Sequence, residues 1–110
     1  MKGLLKMTKM PEFNTMDYLK NDIELQQLYL EQLFNEYVQD NNIEAFLSAL
    51  KPLIELNYNI TEFAKKTGIN RTYFYKLFNN KVVPDFSTLI IIIKNLGFEI
   101  DFKFVKICNT

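Results

Sequence analysis

A basic stretch without acids lies in the second half of the chain, and it is the part of the sequence best suited to binding chemistry. Between Phe63 and Pro84 there is no Asp or Glu, whereas five cations fall there: Lys65, Lys66, Arg71, Lys76 and Lys81. The net charge is zero, but residues 1–50 hold four Lys against eight acids, and residues 51–110 hold nine Lys and Arg against five. This distribution favours an anionic partner for the basic stretch, with a solvated surface that binds no ligand as the alternative.

The residue types that most enzymes need are missing or isolated. The chain has no histidine, its single cysteine is Cys108, and neither a Gly-rich phosphate loop nor a cluster of metal ligands occurs. Carboxylates such as Asp17 and Asp22 are explained by the preference of helix N-termini for negative charge. We therefore expect no catalysis, no cofactor and no metal site, because nucleophiles and metals both need grouped partner side chains.

The composition favours a folded chain in the cytoplasm. With 110 residues, 48% of them hydrophobic, the chain suits one domain with a modest core. One cysteine allows no disulfide within the chain, as is usual in a reducing compartment. The longest aliphatic run, Leu89 to Ile93, is far shorter than the roughly 20 residues that a bilayer span needs. We expect a cytoplasmic protein without a membrane partner.

Two short helices separated by a glycine are predicted to carry the basic stretch. Thr61 is predicted to cap the first helix, which Gly68 ends, and Asn70 is predicted to cap the second, over about residues 71–79. This is the arrangement of a helix-turn-helix, assigned to residues 61–79, in which the second helix enters the major groove of DNA.

The apolar positions of the second short helix determine which of its side chains face outward. Phe74, Leu77 and Phe78 recur at helical spacing and are predicted to face the core. The side chains predicted to point away from the core are Arg71, Thr72, Tyr75, Lys76 and Asn79. Solvated charge remains the alternative for the cations, and packing remains the alternative for the tyrosines, above all Tyr73.

Helical periodicity predicts three further helices, at about residues 22–39, 43–56 and 86–96, in a single domain that covers residues 16–110. Pro52 predicts a kink or a break in the second of these, since an interior proline removes a helix hydrogen bond at a cost of about 3 kcal/mol. Residues 1–15 carry mixed signals and are predicted to be a partly ordered arm.

The last of these helices contains a run of β-branched residues. On propensity alone, Ile90 to Ile93 fit a buried strand as well as a helix. Asp85 as an N-cap and Gly97 as a stop favour the helix.

Apolar and charged side chains alternate from Phe98 to Phe104, which predicts a β-strand over residues 98–105. A lone strand leaves its backbone unpaired, so it needs another copy, another protein or, less favourably, residues 3–7. We expect a homodimer whose strands pair antiparallel around Phe102, which sets Asp101 against Lys103 of the other copy. The predicted dimer contacts are Ile100, Phe102 and Phe104.

Several segments of the sequence resemble a known family. The turn Thr67-Gly68-Ile69-Asn70, followed by Leu77-Phe78-Asn79, resembles the helix-turn-helix of the lambda-repressor and Cro-like superfamily. A closer similarity, to the HigA-like addiction-module antidote proteins, runs from Asn59 to Leu89 and on through Lys94-Asn95-Leu96-Gly97-Phe98. It also includes an N-terminal segment, Asp17-Tyr18-Leu19-Lys20, so that the resemblance covers about residues 16–105.

The resemblance implies a mainly α fold: a five-helix lambda-repressor-like domain, here with an extra N-terminal helix and a C-terminal β-strand. It implies an antitoxin that dimerises, represses its own operon, and neutralises a RelE/ParE-like (HigB-like) toxin encoded by the adjacent gene. Carried over by position, the residues facing DNA bases are Arg71, Thr72, Tyr75 and Lys76. Those facing phosphates are Asn70, Asn79 and Lys81. Two departures from the family are Pro52 in the second helix and Glu62, an acid where an uncharged amide is common.

Two alternative functions remain. A free-standing phage or chromosomal repressor would bind DNA in the same way without a toxin partner. A protein-binding module would instead dock an acidic partner on the basic stretch and add its exposed strand to that partner's sheet.

Overall fold

The computed structural model describes residues 15–108, in which there are six α-helices. They are α1 (Thr15–Leu19), α2 (Ile23–Asp40), α3 (Ile43–Asn57), α4 (Ile60–Thr67), α5 (Arg71–Phe78) and α6 (Phe86–Asn95). The prediction of a mainly helical fold is confirmed. The predicted N-terminal arm lies outside the described residues, except for Thr15, with which α1 begins. No helix in the described part combines the length and hydropathy needed to cross a bilayer.

Side-chain caps explain where the helices begin. Asp22, Asn42, Asn59, Asn70 and Asp85 each accept a hydrogen bond from a backbone N–H in the first turn that follows. The predicted caps at Asn70 and Asp85 are therefore confirmed. Hydrogen bonds from Thr88, together with one from Ser87, hold the pKa of the Asp85 carboxyl below its ordinary value.

The predicted cap at Thr61 is wrong. Asn59 begins α4 instead: its side chain accepts from the Glu62 N–H (2.8 Å), and the Glu62 carboxylate accepts from the Asn59 N–H (3.3 Å). This reciprocal capping box satisfies two backbone donors, whereas a cap at Thr61 would satisfy one. Thr61 is thereby left inside the first turn of α4, with its hydroxyl available to another partner.

Helix α3 runs through the middle of the core. Leu50, Leu53 and Ile54 on α3 are fully buried, and helices α1, α2, α4 and α5 all pack against α3. Against expectation, Pro52 neither breaks nor interrupts α3, which continues for five residues beyond it to Asn57. Because the buried face of α3 contacts four other helices, the packing stabilises the helix despite the missing hydrogen bond.

A buried polar link joins the ends of α1, α2 and α3. The Gln26 amide on α2 donates to the Leu19 carbonyl at the end of α1 (3.0 Å) and accepts from the Asn57 amide at the end of α3 (3.4 Å). Gln26 is only 2% exposed, so these partners satisfy an amide that would otherwise be costly to bury.

The predicted strand over residues 98–105 is wrong for this chain: in the described part, residues 98–108 form neither helix nor strand. A strand needs a second strand for its backbone hydrogen bonds, and none of residues 15–108 supplies one. The start of the segment is fixed in another way. The Phe98 N–H donates to the Ile93 carbonyl (3.1 Å), and Phe98 and Ile100 pack against the core. The β-branched run before it is helical, as Asp85 and Gly97 favoured.

Candidate nucleic-acid interface

The packing of α4 on α5 decides which side of α5 faces outward. Phe63 on α4 and Phe74 on α5 are both completely buried, with ring centroids 5.7 Å apart. Leu77 is also fully buried, and Phe78 stacks on Phe74 with centroids 6.1 Å apart. Because these side chains occupy one face of a two-turn helix, the opposite face of α5 is exposed to solvent.

The turn between α4 and α5 uses a left-handed glycine and a threonine brace. Gly68 has φ +76°, in the region that favours glycine, and ends α4 as predicted. The Thr67 hydroxyl donates to the Ala64 carbonyl (3.2 Å) and accepts from the Ile69 N–H (3.1 Å). Ile69 is partly buried against the core, as expected of the turn hydrophobe. The turn therefore holds the two helices at a defined angle.

The first residue of α5 is held by the first turn of α4. The Arg71 guanidinium donates to the Thr61 hydroxyl (3.2 Å), while the side chain of Asn70 caps α5 by accepting from the Thr72 N–H (2.7 Å). Arg71 is exposed, so the contact orients the guanidinium without burying its charge. The role of Thr61 as the acceptor for Arg71 differs from the cap predicted from its position beside the start of a helix.

The last residues of the interface are placed by the end of α5. Asn80 adopts a left-handed φ of 60°. The Asn80 N–H donates to the Leu77 carbonyl (3.2 Å), and the Lys81 N–H donates to the Lys76 carbonyl (2.8 Å). This pair of bonds is a Schellman motif, with asparagine where glycine is more usual. It turns the chain so that Lys81 follows directly after the exposed face of α5.

All seven residues predicted to contact DNA are exposed on α5 or at its ends. They are Asn70, Arg71, Thr72, Tyr75, Lys76, Asn79 and Lys81. The other two cations of the basic stretch, Lys65 and Lys66, are exposed on α4. Tyr73 is only partly exposed and packs against the core, so its ambiguous prediction resolves as packing. We call the surface formed by the seven residues on α5 and at its ends the α5 face.

Acidic residues border the α5 face on one side. An open groove of about 420 Å³ runs between α3, the start of α4 and the end of α5; Tyr75 and Asn79 line it together with Glu55 and Glu62. The Glu62 carboxylate is engaged in the capping box and also favours the positive end of α4. This explains the acid that departs from the resembled family: it caps the helix, at the expense of a phosphate contact there.

In the described part of the chain, no group of three or more His, Cys, Asp or Glu side chains could hold a metal ion. The chemistry available on the α5 face is therefore that of guanidinium, ammonium, amide and hydroxyl groups. These groups donate to phosphate oxygens and to base edges.

Comparison with known proteins identifies a family and a relative to which this chain is similar. A family model described as "Probable addiction module antidote protein" matches residues 9–104. An uncharacterized protein from Haemophilus influenzae is 33% identical over 94 residues, which are 84% of this chain and 91% of the relative. No solved structure matches the chain.

The left-handed conformation at Gly68 gives a test of the turn. A Cβ added at Gly68 would meet no atom within 4 Å, so the cost of Gly68→Ala is conformational strain alone. We expect a loss of about 1–2 kcal/mol in the free energy of unfolding, measured by urea denaturation. Gly68→Asn should lose less, because asparagine tolerates this conformation better. Equal stability of Gly68→Ala and the wild type would contradict the assigned turn.

Proposed function

The chain belongs to the family of probable addiction module antidote proteins, and from this premise we propose that it is the antitoxin of a type II toxin–antitoxin pair. In this proposal it acts in the cytoplasm, binds the operator of its own operon as double-stranded DNA, and neutralises a RelE/ParE-like (HigB-like) toxin encoded by the adjacent gene. The alternative function, a free-standing repressor, would use the same DNA-binding surface. Membership of the antidote family favours the antitoxin over this alternative.

The observation that carries the DNA-binding part is the composition of the α5 face. Seven exposed polar or charged side chains lie on or beside one short helix, and no acid occurs between Phe63 and Pro84. The major groove admits one α-helix, so a two-turn helix with one exposed polar face can present these side chains to it. The two short helices and the glycine turn also support the HigA-like, lambda-repressor-like assignment.

The residues divide by chemistry between base and phosphate contacts. Arg71, Thr72, Tyr75 and Lys76 point from the body of α5 and are assigned to bases. Asn70, Asn79 and Lys81 lie at its two ends, where the DNA backbone would pass, and are assigned to phosphates. The hydrogen bond that the Arg71 guanidinium donates to the Thr61 hydroxyl orients Arg71 before DNA binds, which lowers the entropy lost on binding.

Exposed aromatic rings after α6 support the homodimer. Phe102 is 59% exposed and Phe104 is 94% exposed, and their rings stack in parallel with centroids 6.2 Å apart. The ring centroid of Phe86, at the start of α6, lies 5.5 Å from that of Phe102, and Phe86 is itself half exposed. Ile100, the third predicted contact, packs partly against its own core and would contribute less. A second copy would cover the three rings and so remove apolar surface from water.

Replacing Arg71 tests the assignment of the α5 face. On a fragment spanning the promoter of its own gene, Arg71→Ala should weaken binding by about 1–3 kcal/mol and relax the preference at one base pair. Thr61→Val, which keeps the guanidinium but removes its acceptor, should cause a smaller loss. Titrations with a set of single-base-pair variants of the fragment measure both effects.

The control for this experiment is Lys94→Ala, which removes an exposed cation from α6, outside the basic stretch. It should leave the affinity close to that of the wild type. If Arg71→Ala and Lys94→Ala behave alike on every fragment, Arg71 does not contact bases.

Phe102→Asp tests the homodimer. A charge placed in the proposed contact should be too costly to bury, so the mass in solution should fall from that of two chains to that of one. Val38→Asp is the control, since Val38 is similarly exposed (79%) but lies on α2. Light scattering measures the mass, and a dimer that Phe102→Asp leaves intact would refute the contact.

A further inference from the structure

A second open groove lies between α2 and the segment that follows α6. Its volume is about 590 Å³, within the range of roughly 300–1,000 Å³ that is typical of binding pockets. The apolar side chains that line it are Leu30 and Phe34 of α2, Ile93 of α6, and Phe98 and Ile100. We call it the α2 groove.

The polar lining of the α2 groove has one sign of charge. It consists of the carboxylates Glu31, Glu99 and Asp101 and the amides Gln27 and Asn35. Among residues 15–108 no Lys or Arg lines the groove, and all three carboxylates are exposed on its sides. The α2 groove is therefore an apolar surface between acidic edges.

We propose that the α2 groove binds the toxin, through a basic segment in which an apolar side chain is flanked by Lys or Arg. The apolar side chain would pack on the partly buried Phe34, Phe98 and Ile100. The cations would pair with Glu31, Glu99 and Asp101. This inference rests on the proposed antitoxin function and names the surface that carries it out. The surface comprises one side of α2 together with Ile93 and residues 97–101.

The charges argue against DNA as the occupant of the groove. Three carboxylates repel phosphates, so the groove does not bind DNA. A second copy could offer its basic α5 face or the exposed Lys103 and Lys106, which flank Phe104 and Val105. A groove variant that loses the mass of a dimer in light scattering but keeps its affinity for the toxin would overturn the proposal in favour of that occupant. The α5 face is built from other residues, so toxin and DNA would bind different surfaces.

The aromatic rings of the proposed dimer contact lie outside the groove, although Ile100, the weaker dimer contact, lines it. Phe102 and Phe104 are not among the groove residues, and the Phe102 ring lies near that of Phe86 at the start of α6. The toxin and the second copy would therefore use neighbouring parts of the segment after α6 that meet at Ile100.

The test uses the protein encoded by the reading frame next to this gene, titrated calorimetrically into the full chain at two salt concentrations. The triple variant Glu31→Gln, Glu99→Gln, Asp101→Asn should bind about tenfold more weakly or worse at low salt, with a reduced salt dependence. The control triple variant Glu24→Gln, Asp40→Asn, Glu44→Gln changes net charge equally, on exposed positions outside the groove. It should keep nearly the wild-type affinity.

Two further measurements distinguish a misfolded variant from one that has lost only its toxin contacts. Circular dichroism and binding to the promoter fragment should be unimpaired in the groove variant, which excludes misfolding as the cause. If groove and control variants lose affinity equally, or neither does, the α2 groove is not the toxin site, although the antitoxin function stands. If the wild-type chain does not bind the neighbouring product at all, the antitoxin function fails, and the groove assignment fails with it.

Discussion

The contact between Phe63 and Phe74 is the interaction on which the proposed DNA-binding surface depends. Both rings are completely buried, and they join α4 to α5 at the point where both helices meet the rest of the core. Burial of this kind is worth about 1.5–3 kcal/mol for each side chain. An eight-residue helix such as α5 is too short to be stable alone, so its position and its exposed side both follow from this packing.

The charged side chains form two surfaces of opposite sign on a chain whose net charge is zero. The basic stretch between Phe63 and Pro84 contains no acid, whereas the α2 groove combines Glu31 of α2 with Glu99 and Asp101 from the segment after α6. The α5 face has cations and is suited to phosphates; the α2 groove has carboxylates and is suited to a basic protein segment. Two surfaces of opposite charge allow one small chain to distinguish two partners. The acidic groove repels DNA, and the basic α5 face repels a basic protein segment.

Much of the helical structure was predictable from the sequence, because helix ends and buried faces depend on local residue types. Periodicity and helix-end signals predicted α2 to α6 to within a few residues, but not the short α1. Gly68, Asn70 and Asp85 act at helix ends as their residue types indicate. The wrong predictions arise where two residues compete for the same cap, or where contacts between residues distant in sequence determine the structure. Asn59 with Glu62 makes a better cap than Thr61, a strand after α6 lacks a partner in the chain, and α3 continues through Pro52 because four helices pack against it. The α2 groove brings together residues as far apart in sequence as Gln27 and Asp101, which no local pattern reveals.

The central claim is that the α5 face binds the operator of this gene, and the most direct measurement is the affinity of the wild-type chain for two DNA fragments over a range of salt concentrations. One fragment carries the promoter of its own gene and the other a shuffled sequence of equal length and composition. We expect tighter binding to the promoter, with log K falling linearly against log salt by about 0.9 for each phosphate contacted. Equal affinity for both fragments, or an affinity that does not change with salt, would contradict the claim.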